Sequence, residues 1–532
     1  MQQNHIPFRN TGYFSSLICD YLDEKNELNS FYNRFPNLQN FKSQIEERNH
    51  SKLTSETHRL VLASVLSEQY KNIEASELTL QNIELLKKNN TFTITTGHQL
   101  NLFTGPLYFL YKIVSTINLS KKLKETYPKY NFVPIYWMAT EDHDFQEINF
   151  FNFKGKKLQW NKDSSGAVGE LTTEGLDDVF DLFSKELGNS KNSNYLKRLF
   201  EKAYIKHSNL TDATRFLANE LFADYGLVII DANVTDLKKQ FVPFIVDELL
   251  NQTSFKTVSE TNKALSKSYN IQVNPREINL FYLKENLRER IIFEEGVYKV
   301  NNTDLTFTKD EILNEVKKHA ERFSPNVIMR PVYQEVILPN LCYIGGGGEL
   351  AYWFQLKHFF DEVNVPFPML LLRNSVLIQT ENQHKKLERL NIQKEDVFLK
   401  SDAFINKKVR QISDIEIDFS SQREHLKKQF EDLHKLAKLT DESFLGAVKA
   451  QEVKQLKGLD NLEKRLLKSQ KVKLADQVSR MTDIQRVLFP NQSLQERQAN
   501  FSEFYLEYGE QLIPKLVESL EPLRGEFLIL NS

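Results

Sequence analysis

The chain alternates between helix-favouring stretches, in which apolar and charged residues are mixed, and short runs that are densely apolar. From about 13 to 90 the sequence is rich in Leu, Glu, Lys and Asn, and no glycine follows Gly12 in this stretch. A β-prone run at 91–96 (TFTITT) then leads to Gly97. This pattern predicts a mainly helical N-terminal segment followed by the first strand of a core sheet.

A βαβ unit is predicted from this first strand onward. Residues 107–123 have helical apolar spacing and follow Thr104, Gly105 and Pro106, which together favour the start of a helix. Residues 131–140 (NFVPIYWMAT) are typical of a second buried strand. Strand, helix and strand within about 50 residues build a parallel sheet, so we predict an α/β fold.

Further strands of the sheet are expected later in the chain. A third is predicted at 227–231 (LVIID), after a helix over 211–222. A fourth is expected at 327–329 or at 335–338. The polar stretches that separate these elements are interpreted as insertions into the core, near 151–200 and 250–320.

A long span without proline, between Pro368 and Pro490, has the pattern of a coiled coil. Apolar residues recur at alternating steps of four and three, and charged residues fill the other positions. They are Leu426, Phe430, Leu433 and Ala437, then Leu459, Leu462 and Leu466, then Leu474, Val478 and Met481. The pattern is equally compatible with a helical hairpin inside one chain and with an arm that joins two copies.

These patterns divide the chain into four predicted parts. They are an N-terminal helical segment (1–90), a parallel-sheet core with insertions (91–375), a helical arm (376–495) and a C-terminal segment (496–532). The C-terminal segment is apolar from about 501 to 530, so we expect it to pack back on the core.

Composition narrows the class of protein. The 532 residues include 40% apolar and 26% charged residues, and the formal net charge is −2, so no global charge favours nucleic acid or an anionic membrane. Cys19 and Cys342 are too few for a disulfide framework or a zinc-thiolate site. No signal peptide is evident, and no apolar run approaches the roughly 18 residues of a membrane span, so we expect a cytoplasmic protein.

The first candidate motif ends the first core strand. Thr96, Gly97 and His98 lie where ligands bind in open parallel sheets, and the predicted helix after Gly105 presents free N–H groups to anions. The segment Thr95–His98 has the T-x-G-H form of a phosphate-contacting motif in nucleotidylyltransferases. The alternative is a tight turn that carries a surface histidine.

The second candidate motif is acidic and directly follows the strand at 131–140. It consists of Glu141, Asp142, His143 and Asp144, with Glu147 just beyond. Crowded carboxylates favour a bound cation, which could be a divalent metal ion, a substrate ammonium or a nearby Arg or Lys, and Asp142, His143 or Asp144 could act as a base. The alternative is a helix N-terminus that acidic residues stabilise.

The third candidate motif is a run of glycines, from 345 to 348, followed by Glu349. Such a loop lets the backbone approach a ligand closely, although the ending of a P-loop is missing. Arginines elsewhere could clamp phosphate or carboxylate groups. They are Arg276, Arg288, Arg290, Arg330 and Arg373.

Taken together, the motifs resemble the bacillithiol-biosynthesis cysteine ligase family, BshC. The segments that carry the resemblance keep their order along nearly the whole chain. They are TGHQLNLFTGPLYFLYKIVSTINLSKKL (96–123), PIYWMATEDHDFQEIN (134–149), YGLVIIDAN (225–233), RFSPNVIMRPVYQEVILPNLCYIGGGGELAYWFQLK (322–357) and LFPNQSLQER (488–497). His98 stands where the family commonly has glutamine, and the loop before Glu349 lacks the family's frequent proline.

The resemblance implies a Rossmann-like core with connecting-peptide insertions and a coiled-coil domain through which two copies dimerise. It also implies a ligase that adds cysteine to the amine of glucosaminyl-malate, which gives bacillithiol. We expect ATP or another nucleotide as the activating group, while a divalent cation remains an open possibility.

The predicted roles divide the candidate residues into three groups. The catalytic group is Asp142, His143 and Asp144. The cofactor-binding group is Thr96, Gly97, His98, Gly105, Gly346, Gly347 and Gly348. The substrate-binding group is Glu349, Arg288, Arg290, Arg330 and Asn326. Two other functions stay open, a nucleotidylyltransferase that acts on another small substrate and a non-catalytic, nucleotide-binding scaffold on a coiled coil.

Overall fold

The structure is a computed structural model that describes residues 2–51, 53 and 55–531. Met1, Lys52, Thr54 and Ser532 lie outside the described residues, and the predicted N-terminal and C-terminal segments include them. The strands are β1 (Gln2–Pro7), β2 (Thr91–His98), β3 (Asn131–Met138), β4 (Phe150–Phe153), β5 (Lys156–Gln159), β6 (Val228–Asp231), β7 (Leu280–Lys284), β8 (Leu287–Glu294), β9 (Val297–Val300), β10 (Thr306–Phe307), β11 (Phe323–Pro325), β12 (Asn340–Gly345), β13 (Met369–Leu372), β14 (Val376–Gln379) and β15 (Glu526–Asn531).

The helices begin and end as follows. They are α1 (Phe8–Thr11), α2 (Ser16–Leu22), α3 (Leu38–His50), α4 (Glu56–Gln69), α5 (Glu77–Leu85), α6 (Tyr108–Thr126), α7 (Phe145–Ile148), α8 (Leu176–Leu187), α9 (Lys191–Phe200), α10 (Leu210–Phe222), α11 (Thr235–Asn251), α12 (Thr253–Leu265), α13 (Lys309–Lys318), α14 (Met329–Ile337), α15 (Gly347–Phe354), α16 (Lys357–Glu362), α17 (Glu381–Arg389), α18 (Ser401–Ile412), α19 (Ser420–Ala437), α20 (Glu442–Lys473), α21 (Ala475–Leu488), α22 (Gln495–Gln498), α23 (Phe501–Tyr508) and α24 (Leu512–Ser519).

A parallel sheet in the strand order β13-β12-β2-β3-β6 forms the core, which confirms the predicted α/β fold. Every residue of β2 is buried, and β3 is buried from Phe132 onward. Helices cover both faces of such sheets, which explains why side chains on both faces of these strands are buried. Helix α6 makes the crossover between β2 and β3, as the βαβ pattern predicts.

The predicted fourth strand is wrong at both of its alternative positions. Residues Met329–Ile337 form α14, and the strand lies further along, at Asn340–Gly345. Helix α14 is buried almost all round, and periodicity cannot separate such a helix from a buried strand. The helix that follows the glycines begins at Gly347, and it is interrupted near Gln355 before α16.

The two polar stretches fold into small units beside the core. The first contains the β4–β5 hairpin together with α8 and α9. The second contributes to an antiparallel sheet in the order β10-β9-β8-β7-β11. The hairpin of β7 and β8 in this sheet carries Arg288 and Arg290.

The arm is a helical hairpin of α19 and α20 within one chain. His434 lies 2.8 Å from Glu452, and Arg423 donates to Asp460 at 2.8 Å, so the two helices run antiparallel. Phe430 is buried between them. Other apolar residues of the arm stay exposed, namely Leu433, Leu436, Leu439, Phe444, Val453, Leu462 and Val472.

The C-terminal segment returns to the rest of the chain. Asn118, on α6, donates hydrogen bonds to the carbonyls of Val517 and Leu520 at 2.8 and 2.7 Å. Strand β15 lies between β1 and β14 in a separate sheet. Among the described residues, no helix is long and apolar enough to cross a membrane.

Phe103 ties the core to an insertion and to the C-terminal segment, and its replacement tests this packing. Its buried ring lies 5.0–5.4 Å from rings of its neighbours. We expect Phe103→Ala to lower the free energy of unfolding by about 3–5 kcal/mol, because it leaves a cavity. Chemical denaturation followed by circular dichroism measures this, with Phe293→Ala, at a half-exposed position, as the control. Equal losses in both variants would contradict the prediction. The neighbouring rings are those of Phe151, Phe183, Phe200 and Phe501.

Candidate active site

A cleft of about 680 Å³ opens at the carboxyl ends of β2, β3 and β12. Gly97, Met138 and Tyr343 line its floor, and Phe281 and Arg288 come from the β7–β8 hairpin. Ligands bind at this edge of open α/β sheets because loops from neighbouring strands converge there.

Asp142 is the acidic group of the cleft that is most strongly held as an anion. Its Oδ2 accepts a hydrogen bond from Gln99 at 2.9 Å, and its Oδ1 accepts from the main-chain N–H of His143 at 2.8 Å. Burial raises the pKa of Asp142, but the hydrogen bonds with His143 and Gln99 and the charge of Arg288 outweigh it, so the pKa lies well below its usual range. An anion fixed in this way suits the recognition of an ammonium group better than strong basicity.

Glu141, the neighbouring acid, is already paired inside the protein. It accepts a short hydrogen bond from Lys238, whose side chain is fully buried on α11. The Lys238 ammonium also donates to the carbonyl of Phe323 at 2.9 Å. Glu141 therefore neutralises a buried lysine and anchors the turn that carries Asp142.

His143 reaches across the cleft to the β7–β8 hairpin. Arg288 Nη1 lies 2.6 Å from His143 Nδ1, and the Arg288 guanidinium stacks on the ring of Phe281 at 3.9 Å. A guanidinium can only donate, so Nδ1 accepts and the ring proton of His143 is on Nε2. Arg288, which belongs to an insertion, thus fixes the orientation of the imidazole of His143, which belongs to the core.

The glycine loop is tied to the end of β2 by Lys112 and Glu349. Lys112 Nζ lies 2.6 Å from Glu349 Oε2 and donates to the carbonyl of Gly97 at 2.7 Å. The same carboxylate accepts from the Gly346 N–H and from the Tyr343 hydroxyl, both at 2.8 Å. Burial raises the pKa of Glu349, but Lys112 and the hydrogen bonds from Gly346 and Tyr343 together outweigh it, so the pKa is lowered and Glu349 is anionic.

Arg330 is half-buried in the lining of the cleft and has no carboxylate partner within 4.0 Å among the described residues. It donates to Gln334 at 3.0 Å and to the Tyr352 hydroxyl at 3.2 Å, and it lies near the ring of Tyr343. Other arginines that line the cleft share this lack of a carboxylate within 4.0 Å among the described residues. The set is Arg276, Arg288, Arg290, Arg330 and Arg497.

His98 is buried, unlike the surface histidine of the alternative interpretation. Its ring packs against Tyr108 and Phe109, and among the described residues its Nε2 has no hydrogen-bond partner. Burial and the charge of Lys112 hold the pKa of His98 well below its usual value. The imidazole is therefore neutral at the edge of the cleft.

Two domain models of one known family together match nearly the whole chain. The family described as bacillithiol biosynthesis BshC, N-terminal Rossmann-like domain, matches residues 1–374. The family's C-terminal coiled-coil domain matches residues 376–532. The chain belongs to the BshC family.

Similar proteins of the BshC family are named "Putative cysteine ligase BshC". One from Flavobacterium johnsoniae is 62% identical over 531 residues, which is all of both chains. One from Christiangramia forsetii is 61% identical over 536 residues and covers 100% of this chain and 99% of its own. One from Bacillus cereus is 28% identical over 519 residues, or 94% and 95% of the two chains. These relatives support a ligase of bacillithiol biosynthesis.

The cleft brings together most of the residues that the sequence suggested for a BshC site. Those that line it are Gly97, His98, Asp142, His143, Arg288, Arg290, Asn326, Arg330, Gly346, Gly348 and Glu349. Asn326 also accepts hydrogen bonds from the main-chain N–H groups of Ile328 and Met329, at the start of α14.

Four predicted site residues do not line the cleft. The hydroxyl of Thr96 donates to the Ile344 carbonyl at 2.7 Å, which joins β2 to β12. Gly105 belongs to the turn before α6, at a φ of 62°. Gly347 faces Ile18, and Asp144 is exposed beside α7.

Several cleft residues escaped the sequence analysis, namely Gln99, Tyr108, Lys112 and Arg497. The only available signal was position, since Gln99 follows the Thr96–His98 motif and Tyr108 and Lys112 begin the next helix. Among the described residues, no group of three or more His, Cys, Asp or Glu side chains is arranged to hold a metal ion.

The pairing of Glu141 with Lys238 predicts a structural role that can be measured. Glu141→Gln leaves the buried ammonium without its counter-charge, so we expect the free energy of unfolding to fall by about 3–5 kcal/mol. Glu294→Gln, which removes an exposed partner of Lys299, is the control and should cost less than about 1 kcal/mol. Chemical denaturation of the two variants compares them, and a Glu141→Gln protein as stable as the control would contradict this role.

Proposed function

We propose that this chain joins cysteine to the amine of glucosaminyl-malate and so forms bacillithiol, with ATP activating the cysteine carboxylate. The observation that carries the proposal is the distribution of charge in the cleft. Asp142 is an anion held by hydrogen bonds in the cleft, and arginines that have no carboxylate partner among the described residues also line it. A substrate with both an amine and carboxylates, together with a nucleotide, complements such a cleft.

The charges suggest where each substrate group binds. The amine of glucosaminyl-malate would lie near Asp142, which attracts an ammonium group. The malyl carboxylates would accept hydrogen bonds from Arg288 and Arg290, because guanidinium groups bind carboxylates in a bidentate manner. The nucleotide would occupy the end near Gly97 and the glycine loop, where backbone can approach phosphates closely.

Amide formation requires activation, because a carboxylate is a poor electrophile. ATP would transfer adenylate or phosphate to the cysteine carboxylate, with pyrophosphate or ADP leaving. The amine nitrogen then attacks the activated carbonyl, the C–N bond forms, and AMP or phosphate departs. The amine also loses a proton, which a base in the cleft must take.

His143 is the base that this arrangement favours, and Arg288 would control it. Arg288 donates a hydrogen bond to His143 Nδ1, so while this bond is present the imidazole cannot accept a substrate proton at Nδ1. A malyl carboxylate that binds Arg288 would draw the guanidinium away and free Nδ1. Proton removal would then depend on the acidic substrate being in place. The low pKa of Asp142 makes it a weaker base and a better partner for the ammonium.

Reconstitution with purified protein tests the proposal. We expect bacillithiol from cysteine, glucosaminyl-malate and ATP, measured by mass spectrometry. His143→Ala should lower the turnover number by about 10²-fold or more, which is typical for loss of a general base. His425→Ala, at an exposed position of the arm, is the control.

Two results would contradict this function. ATP consumption with another small acid or sugar, and no dependence on cysteine, would favour a nucleotidylyltransferase. Nucleotide binding without any turnover of the three substrates would favour a scaffold.

The proposed setting of the protein is the cytoplasm, where the buried free thiols of Cys19 and Cys342 stay reduced.

We also propose that two copies dimerise through the arm, because apolar residues of α19 and α20 remain exposed after these helices pair. Replacing Leu436 and Leu439 together with Asp should shift a dimer to a monomer, since the charges would be buried in the interface. Light scattering at micromolar concentration measures the mass. Leu182→Asp, an exposed position on α8, is the control. A wild-type monomer would contradict dimerisation.

A further inference from the structure

We infer that the chain beyond the coiled coil completes the cleft by supplying Arg497, which binds a phosphate group of the nucleotide. The inference rests on the proposed function and deepens it. It assigns a ligand-binding residue to the C-terminal module, whereas the motifs at the strand ends all belong to the core.

Arg497 lies on α22 and lines the cleft together with Tyr108, Arg373, Gly346 and Gly348. Arg497 is exposed, and among the described residues no carboxylate lies within 4.0 Å of its guanidinium. Arg373 lies over the ring of Tyr108 at 4.8 Å and pairs with Glu496, the residue next to Arg497, which brings the two arginines to one end of the cleft. Two cations at one end, one of them unpaired, favour an anionic ligand group there.

The main chain of Arg497 is fixed by its two preceding residues. Glu496 is fully buried and accepts from Arg373 Nη2 at 2.7 Å and from the Val376 N–H at 3.1 Å. The side chain of Gln495 exchanges two hydrogen bonds of 3.0 Å with the backbone of Ile378. Rigid support of this kind lets a binding residue hold its position before the ligand arrives.

Arg373 links this support to the glycine loop. The main-chain N–H of Arg373 donates to the carbonyl of Gly345 at 2.9 Å, and its guanidinium lies over the ring of Tyr108 at 4.8 Å. A Cβ built on Gly346 would be 3.7 Å from Arg373 Nε. That Nε is buried and has no hydrogen-bond partner among the described residues. An unpaired buried donor is costly, and a ligand oxygen beside the loop would satisfy it.

The other groups at this end favour phosphate over the substrate's carboxylates. A Cβ on Gly348 would meet nothing within 4 Å, so there is open space beside the loop at this position. Lys112 is neutralised by Glu349, which leaves the arginines as the cations available to a ligand. A tetrahedral phosphate can accept from a guanidinium and from loop N–H groups at the same time. Arg288 of the β7–β8 hairpin lies 2.6 Å from His143, next to Asp142, where the amine substrate is proposed to bind.

Nucleotide binding without turnover tests the inference. Full-length protein is titrated with magnesium ATP, and separately with glucosaminyl-malate, by calorimetry. Arg497→Gln should weaken ATP binding about tenfold or more and leave glucosaminyl-malate binding unchanged, because a charge-assisted bidentate contact is lost. The ATP affinity of Arg497→Lys should lie between those of the wild type and of Arg497→Gln, since lysine keeps the positive charge but not the bidentate geometry of the guanidinium. Arg524→Gln, in the same module and outside the cleft, is the control.

The outcomes separate this inference from the proposed reaction. Unchanged ATP affinity in Arg497→Gln, with an unchanged unfolding temperature, would overturn the phosphate assignment. A loss of glucosaminyl-malate affinity alone would overturn it as well, since Arg497 would then bind a carboxylate. ATP binding that depends on Arg497 in a protein that forms no bacillithiol would uphold the assignment and refute the reaction.

Discussion

The buried pairing of Lys112 with Glu349 is the interaction on which the geometry of the cleft depends. An ammonium group is costly to bury without a counter-charge, so α6 and the glycine loop must fold against each other to satisfy Lys112. The same ammonium holds the Gly97 carbonyl, and the same carboxylate holds Gly346 and Tyr343. One ion pair therefore joins α6, the glycine loop and the end of β2, and these elements form part of the lining of the cleft.

Two acidic residues near the cleft are paired with lysines inside the protein, whereas several arginines of the cleft have no carboxylate partner among the described residues. Glu141 and Glu349 each form an ion pair with a buried lysine. Arg276, Arg290 and Arg497 line the cleft and have no carboxylate partner among the described residues. A chain with a formal net charge of −2 thus builds a locally positive surface. Such a surface attracts anionic ligands and concentrates them at the site.

The sequence predicted the core well and the assembly of the site only in part. Strands β3 and β6 were recognisable because each is a dense apolar run, β2 because it is a β-prone run of threonines with Phe92 and Ile94, and the polar motifs after β2 and β3 marked the cleft. Helix α14 was mistaken for a strand because burial on all sides removes its helical period. Lys112 and Arg497 could not be placed, since their contacts are made by residues far away in the sequence. Asp144 was misplaced because the chain turns outward within a few residues of Asp142, and no local pattern records that turn.

The sheet of β1, β15 and β14 has a consequence for how the protein is made. β1 pairs along its full length with β15, which is synthesised near the other end of the chain. During translation β1 therefore emerges long before its neighbour exists and presents an unpaired edge to other chains. Contacts of such long sequence separation form slowly, so closing this sheet should be a late step in folding. Until then, the N-terminal strand is a site where a chaperone or a second nascent chain could bind.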